Sequence, residues 1–112
     1  MTEHSGPGVF RVVLEVDIGD RPQAEFVAAW QRMAALAATE PANLSQSLSQ
    51  DAARPSRYYI VAEWTSRDEF VRFSASPAHD TEVADLKAMG TTIGFTQMNQ
   101  VVAGPERVGV SR

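Results

Sequence analysis

The sequence predicts an α+β domain of the ferredoxin-like type: an antiparallel sheet with two helices on one face, in the order β-α-β-β-α-β. Three observations carry that expectation. Segments of period two and of helical period follow one another in this order along the chain. The link between the second and third strands is the short, proline-containing "AARPS" (residues 52–56), which suits an antiparallel hairpin and not a crossover. A length of 112 residues allows one hydrophobic core and is short of a second. The domain is expected over residues 9–103, between a loose arm at 1–8 (Gly6, Pro7, Gly8) and a mobile tail at 104–112.

Strand one runs from Val9 to Asp17, where Phe10, Val12, Leu14 and Val16 fall on one face. "IGDRPQ" ends it, and Pro22 suits the first position of a helix capped near Asp20 or Arg21. In the following helix Phe26, Trp30, Met33 and Ala37 recur at helical spacing, and the helix must stop before Pro41. "NLSQSLSQD" holds too much Ser and Asn for a helix, and its alternation of Leu44, Gln46, Leu48 and Gln50 predicts a polar strand. Arg57 to Thr65, rich in aromatic and β-branched residues, is strand three. Ser66, with Glu69 three residues on, has the capping-box pattern for a second helix, whose buried side begins with Phe70 and Phe73. Ser76 and Pro77 interrupt it, and Val83, Leu86 and Met89 continue the helical spacing to Gly90. The last strand is expected from Gly94, with Phe95, Gln97, Asn99 and Val101 on one face and Thr96, Met98, Gln100 and Val102 on the other.

Composition excludes several classes of function. The formal charge is −4 and no basic patch exists, which disfavours nucleic acid and anionic membranes as partners. The absence of cysteine excludes disulfides, thiol catalysis and thiolate metal sites, and is compatible with a cytoplasmic chain. The N-terminus does not read as a signal peptide, and no apolar run is long enough to span a membrane. No G-x-G-x-x-G, P-loop or G-x-S-x-G is present. His79 stands beside Asp80 and Glu82 in no ligand spacing that holds a metal, so no metal site is expected.

Two helices cover one side of a sheet. Tyr59, Val61 and Val13 add apolar surface to the other side, and a homodimer through the sheet faces is the expected way to cover it. Chemistry is then expected in a cleft between helices and sheet. Trp64, at the end of strand three, can wall a pocket for a flat ligand, with Tyr58 and Ile60 on the same face. Trp30 and Phe73 meet it from the helices, most simply as core. Gln46, Gln97 and Asn99 are amides that could hold a phenol or ketone oxygen, and His79 is the one candidate for proton transfer among them.

The stretch "YYIVAEWTSRDEFVRFSASPAH" (58–79) resembles the antibiotic biosynthesis monooxygenase family of dimeric α/β barrels. The resemblance rests on Glu63-Trp64 closing an aromatic–aliphatic strand, the acidic helix start Ser66-Arg67-Asp68-Glu69-Phe70, and the stop Ser76-Pro77-Ala78-His79. It covers about Val9 to Ala103. It implies a sheet-to-sheet homodimer and a cofactor-independent monooxygenase that uses O₂ to oxidise a polycyclic aromatic or polyketide-derived phenol, anthrone to quinone, in secondary metabolism. On that oxygenase reading Trp64, Asn99 and His79 are the candidate catalytic residues, and Trp30, Gln46, Tyr58, Ile60, Phe73 and Gln97 the candidate substrate-binding residues. Such oxygenases usually carry Asn four residues before the strand-three Trp, where this chain has Ile60, so the amide must come from Asn99, Gln97 or Gln46. The haem-degrading relatives use a His about ten residues after the Trp, where this chain has Phe73 and Ser74. A cyclase or isomerase using the same pocket without O₂, and a non-catalytic binding dimer, are the alternative readings.

Overall fold

A computed structural model describes residues 8–105 of the chain; residues 1–7, with His4, and 106–112 lie outside the described residues, as does most of the expected arm and tail. The elements are β1 (Phe10–Asp17), α1 (Gln23–Ala37), β2 (Asn43–Gln50), β3 (Arg57–Trp64), α2 (Arg67–Ser74), α3 (Pro77–Ala88) and β4 (Thr91–Asn99). The strands form one antiparallel sheet in the order β2-β3-β1-β4, with the helices on one face, so the ferredoxin-like α+β expectation holds. No described helix is long and apolar enough to cross a membrane.

Pairing register decides which side chains meet the helices. β1 lies against β3 with Phe10 opposite Trp64, Val12 opposite Ala62, Leu14 opposite Ile60 and Val16 opposite Tyr58. Directly opposed residues share a face, so all eight point to the helix layer. From α1 come Phe26, Ala29, Met33 and Ala37, all buried. Phe26 and Trp64 are the largest fully enclosed side chains, and each burial of this kind contributes roughly 1.5–3 kcal/mol.

Four expectations need correction. The helices number three, because Ser76-Pro77 starts a new helix and does not merely interrupt one. Ser76 Oγ accepts the His79 backbone N–H at 3.2 Å, and Pro77 fills the first turn, where no N–H is needed. Ser66 caps α2 in the same way, accepting from Glu69 N–H, as the capping pattern predicts. Pro22 is the N-cap of α1 and not its first residue: its ψ of 131° is extended, and its carbonyl accepts from Phe26 N–H. β4 begins three residues earlier than expected and ends at Asn99, leaving Val101 and Val102 outside the strand and exposed. A bulge opposite Glu15–Val16 admits Ile93 as an extra residue, which hid the start of the strand from a period-two reading.

The uncovered face is also more mixed than a continuous apolar patch. Val13, Tyr59, Val61 and Met98 are part-exposed there, but Arg11 and Glu63 form an ion pair between them, to which Ser45 adds a 2.9 Å hydrogen bond.

The turn from α3 into β4 depends on one missing side chain. A Cβ on Gly90 would lie 2.6 Å from Val16 Cγ1 and 2.8 Å from the Asp17 carbonyl oxygen, and the latter is backbone that cannot swing aside. Gly90→Ala should therefore destabilise the fold by about 1–3 kcal/mol, read as a lower urea midpoint at unchanged slope. A midpoint equal to the parent's would show that the turn relaxes freely.

Candidate functional site

A cavity of about 540 Å³ lies between the helix layer and the sheet, within the size range of small-molecule sites. Its floor includes Val12 and Leu14 of β1 and Ile60, Ala62 and Trp64 of β3; its walls include Trp30 and Met33 of α1, Phe70 and Phe73 of α2, and His79 and Val83 of α3. Both tryptophans of the chain border it. α2 ends and α3 starts at Ser76-Pro77, and residues of both helices border the space.

Of the residues singled out from sequence, Trp64, His79, Trp30, Gln46, Ile60 and Phe73 border this cavity together. Tyr58, Gln97 and Asn99 do not. Tyr58 lies at the other end of β3, buried against Phe26 at a ring-centroid distance of 5.0 Å, and its hydroxyl accepts from Gln23 Nε2 at 2.8 Å. Gln97 and Asn99 share the helix face by register, opposite Val12 and Phe10, but β4 is the sheet's edge and both are exposed.

Two polar atoms stand out. Trp64 Nε1 and His79 Nδ1 are both sealed from solvent, and neither has a hydrogen-bond partner among the described residues. Leaving such a group unpaired costs about 1–3 kcal/mol, so a sequence that satisfies its other buried side chains has two exceptions on one cavity. Trp64 is 1% exposed and packed between Phe73, at 5.1 Å, and Phe70, edge-on at 6.0 Å. It offers little open ring surface for stacking; its available chemistry is the indole N–H. Gln46 spends one amide hydrogen on the Ala34 carbonyl at 2.8 Å, which leaves its second N–H and its carbonyl oxygen without partners among the described residues.

His79 is held by the cap that starts α3 and stands edge-to-face with Phe73 at 5.1 Å. Burial pushes its pKa below the ordinary histidine value; the Asp80 carboxylate, 3.9 Å from Nδ1, opposes that shift without outweighing it. The imidazole is therefore neutral at pH 7 and competent as a base. Glu63, next to Trp64 in sequence, points to the opposite face, where Arg11 holds its carboxyl below the usual range. Among the described residues no group of three His, Asp or Glu side chains is placed to bind a metal ion. Lys87, Thr92 and Phe95 also border the cavity, and sequence reasoning passed over the first two. The spacing His79–Val83–Leu86–Lys87, one stripe of a helix, could have pointed to Lys87.

The antibiotic biosynthesis monooxygenase family matches residues 9–84, and the chain belongs to it. Protein SchA of Streptomyces halstedii is 39% identical over 77 residues, and a 42.8 kDa protein in the whiE locus of Streptomyces coelicolor is 33% identical over 76. These stretches take up 69% and 68% of this chain but only 20% and 19% of those proteins, so the chain spans about a fifth of the length of the curated relatives it matches. Among solved structures, SnoaB, a cofactor-independent oxygenase from Streptomyces nogalater, superposes with a TM-score of 0.80 at 25% identity, covering 88% of this chain and 99% of SnoaB.

Because the folded-state pKa of His79 lies below its unfolded value near 6.5, the unfolded chain takes up more protons between the two. Stability should be unaffected by this group above about pH 7 and fall as pH drops through 6.5. His79→Gln should flatten that part of the stability–pH curve measured by urea unfolding. Parallel curves for parent and variant would mean that His79 is not held neutral by burial.

Proposed function

We propose that this member of the family is a cofactor-independent oxygenase for a planar, electron-rich phenol, a polycyclic aromatic or polyketide-derived molecule of the anthrone type, acting in the cytoplasm in secondary metabolism. The observation that supports it best is that Trp64 and His79, which border one aromatic-lined cavity, each carry a buried polar atom, Nε1 and Nδ1, without a partner among the described residues. The chain's family and its likeness to SnoaB support this reaction class.

The chemistry divides between protein and substrate. Neutral His79 accepts a proton from the activated methylene or phenol, and Trp64 N–H, with the spare amide hydrogen of Gln46, binds the oxygen on which negative charge develops. The anion gives one electron to O₂, the two radicals combine as a carbon-bound peroxide anion that takes back the proton from His79, and loss of water from the resulting hydroperoxide leaves a new C=O. A methylene plus O₂ thus becomes a carbonyl plus water, with every electron drawn from the substrate. Apolar neighbours such as Ile60, Phe73 and Trp30 keep bulk water from quenching the anion.

The test is O₂ uptake together with quinone absorbance on an anthrone substrate. Trp64→Phe, which keeps an aromatic ring and removes the N–H, should lower kcat about 10²-fold, the usual cost of one anion-binding donor. Uptake unchanged in the variant would remove Trp64 from the chemistry. A new ring product without O₂ consumption would replace the oxygenase reading with a cyclase, and no conversion across a phenol panel would leave a binding protein.

The same reading includes a homodimer through the uncovered sheet face, supported by part-exposed Val13, Tyr59, Val61 and Met98 around the Arg11–Glu63 pair. Light scattering at micromolar concentration should return twice the chain mass, and Val61→Arg should return one chain mass with unchanged circular dichroism. A monomeric parent overturns the dimer.

A further inference from the structure

A small crevice adjoins the main cavity. Leu14, Ile60, Val83 and Leu86 border both spaces, so the two meet between the cavity floor and α3. Val16 borders the crevice and not the cavity; it follows Leu14 in the helix-facing row of β1. The crevice is closed on more sides than the cavity and leaves about 10 Å³ for the centre of a guest. That is room for one water-sized or diatomic molecule, and too little for any ring. Close-packed interiors leave few such voids, and this one stands at the edge of the site.

Its wall decides which small molecule it suits. A water held in so small a space needs about two to four polar partners. The surface here is almost wholly apolar. Val16 and Leu86 are buried, whereas the polar residues on the border, Lys87 and Thr92, are exposed. Position 60 contributes to this: an amide there would bring donors and acceptors to the wall, and Ile60 brings carbon alone. An apolar void of this kind stays dry and takes up apolar guests.

We propose that the crevice is a holding site for O₂, from which the gas enters the main cavity past Leu14 and Ile60 once the substrate anion has formed. The proposal rests on the oxygenase reading above and names where its second substrate binds. O₂ fits on three counts: it is diatomic, it needs no hydrogen bond, and it must reach an anion from which bulk water is kept away. Val16 is a positioning residue: it shapes the crevice and touches neither the phenol nor the reacting carbon.

Dissolved O₂ is its own probe, because it is paramagnetic and speeds the relaxation of nearby methyl groups. In the intact, methyl-labelled chain under O₂ pressure, the methyls of Val16 and Leu86 should relax severalfold faster than those of Ile18 and Ala29, which are as deeply buried but border neither space. Val16→Ile adds one methylene to the crevice from outside the main cavity. It should erase the excess at Leu86 and raise KM for O₂ severalfold, with KM for the phenol unchanged and a urea midpoint near the parent's. Val16→Ala, which widens the crevice, should keep the excess and leave KM for O₂ no higher than the parent's. Equal enhancement at all four residues in the parent, or a KM for O₂ unmoved by Val16→Ile, would overturn the holding site while the oxygenase reading stands. Excess relaxation at Leu86 without O₂ uptake on any phenol would overturn the oxygenase reading and the role of the crevice together.

Discussion

The register of β1 against β3 is the constraint on which the rest of this structure depends. Side chains alternate across a sheet, so a slip of one residue would send Phe10, Val12, Leu14 and Val16 outward and bring Arg11, Val13, Glu15 and Asp17 beneath the helices. That alternative buries three charges without partners and is prohibitive. The Arg11–Glu63 pair works in the same direction from the other face, where both charges reach solvent and each other. Hydrophobic burial on one side and ion pairing on the other therefore select one alignment, and that alignment places Trp64 at the end of the helix-facing row.

Position at the row's end matters because α2 and α3 do not continue over it as one helix. Ser76 and Pro77 together end one segment and start the next: the residue before proline is driven out of the helical region, and the Ser hydroxyl then caps the new helix. The new helix start sets His79 three residues past the cap, facing Phe73 on the edge of the cavity. The same local signal thus ends a core helix and positions His79, the base of the proposed function. Phe70 and Phe73 close the other side of Trp64, which converts an exposed stacking wall into an enclosed hydrogen-bond donor.

Local periodicity made most of this fold legible. Strands β1 and β3, helix α1, the Ser66 cap and the β2–β3 hairpin are all visible in spacing and turn chemistry, because each is determined by residues close in sequence. The misplaced features have non-local causes. The start of β4 is masked by the bulge at Ile93, which has meaning only against Glu15 and Val16, far away in the chain. Trp64, His79 and Gln46 were nameable as candidates because each is unusual in its own segment, and Ile60 only through the family resemblance. That Gln97 and Asn99 fall outside the cavity follows from β4 being the edge strand, a fact of sheet order. Lys87 went unnoticed for a related reason: a lone lysine near a helix end has an ordinary local explanation, and only the fold sets it at the edge of the cavity.

Ile60 gains a different meaning in this setting. It occupies the middle of the cavity floor, opposite Leu14 on one side and Leu48 on the other, where its relatives of the oxygenase type commonly place an amide. With Ile there, the central strip offers no hydrogen bond, and the polar groups of the site retreat to its ends and rim: the Trp64 N–H and His79 at one end, Lys87 at the other, Gln46 along the β2 side. An apolar middle between polar ends favours a ligand lying lengthwise, its flat core over Ile60 and its oxygens at the extremities, because any crosswise pose would desolvate an oxygen against Ile or Leu at a cost of about 1–3 kcal/mol. Replacing one amide by an aliphatic side chain thus need not silence the site: under the proposed function, the ligand's polarity runs along the groove and the indole at its end takes the charge-stabilising role.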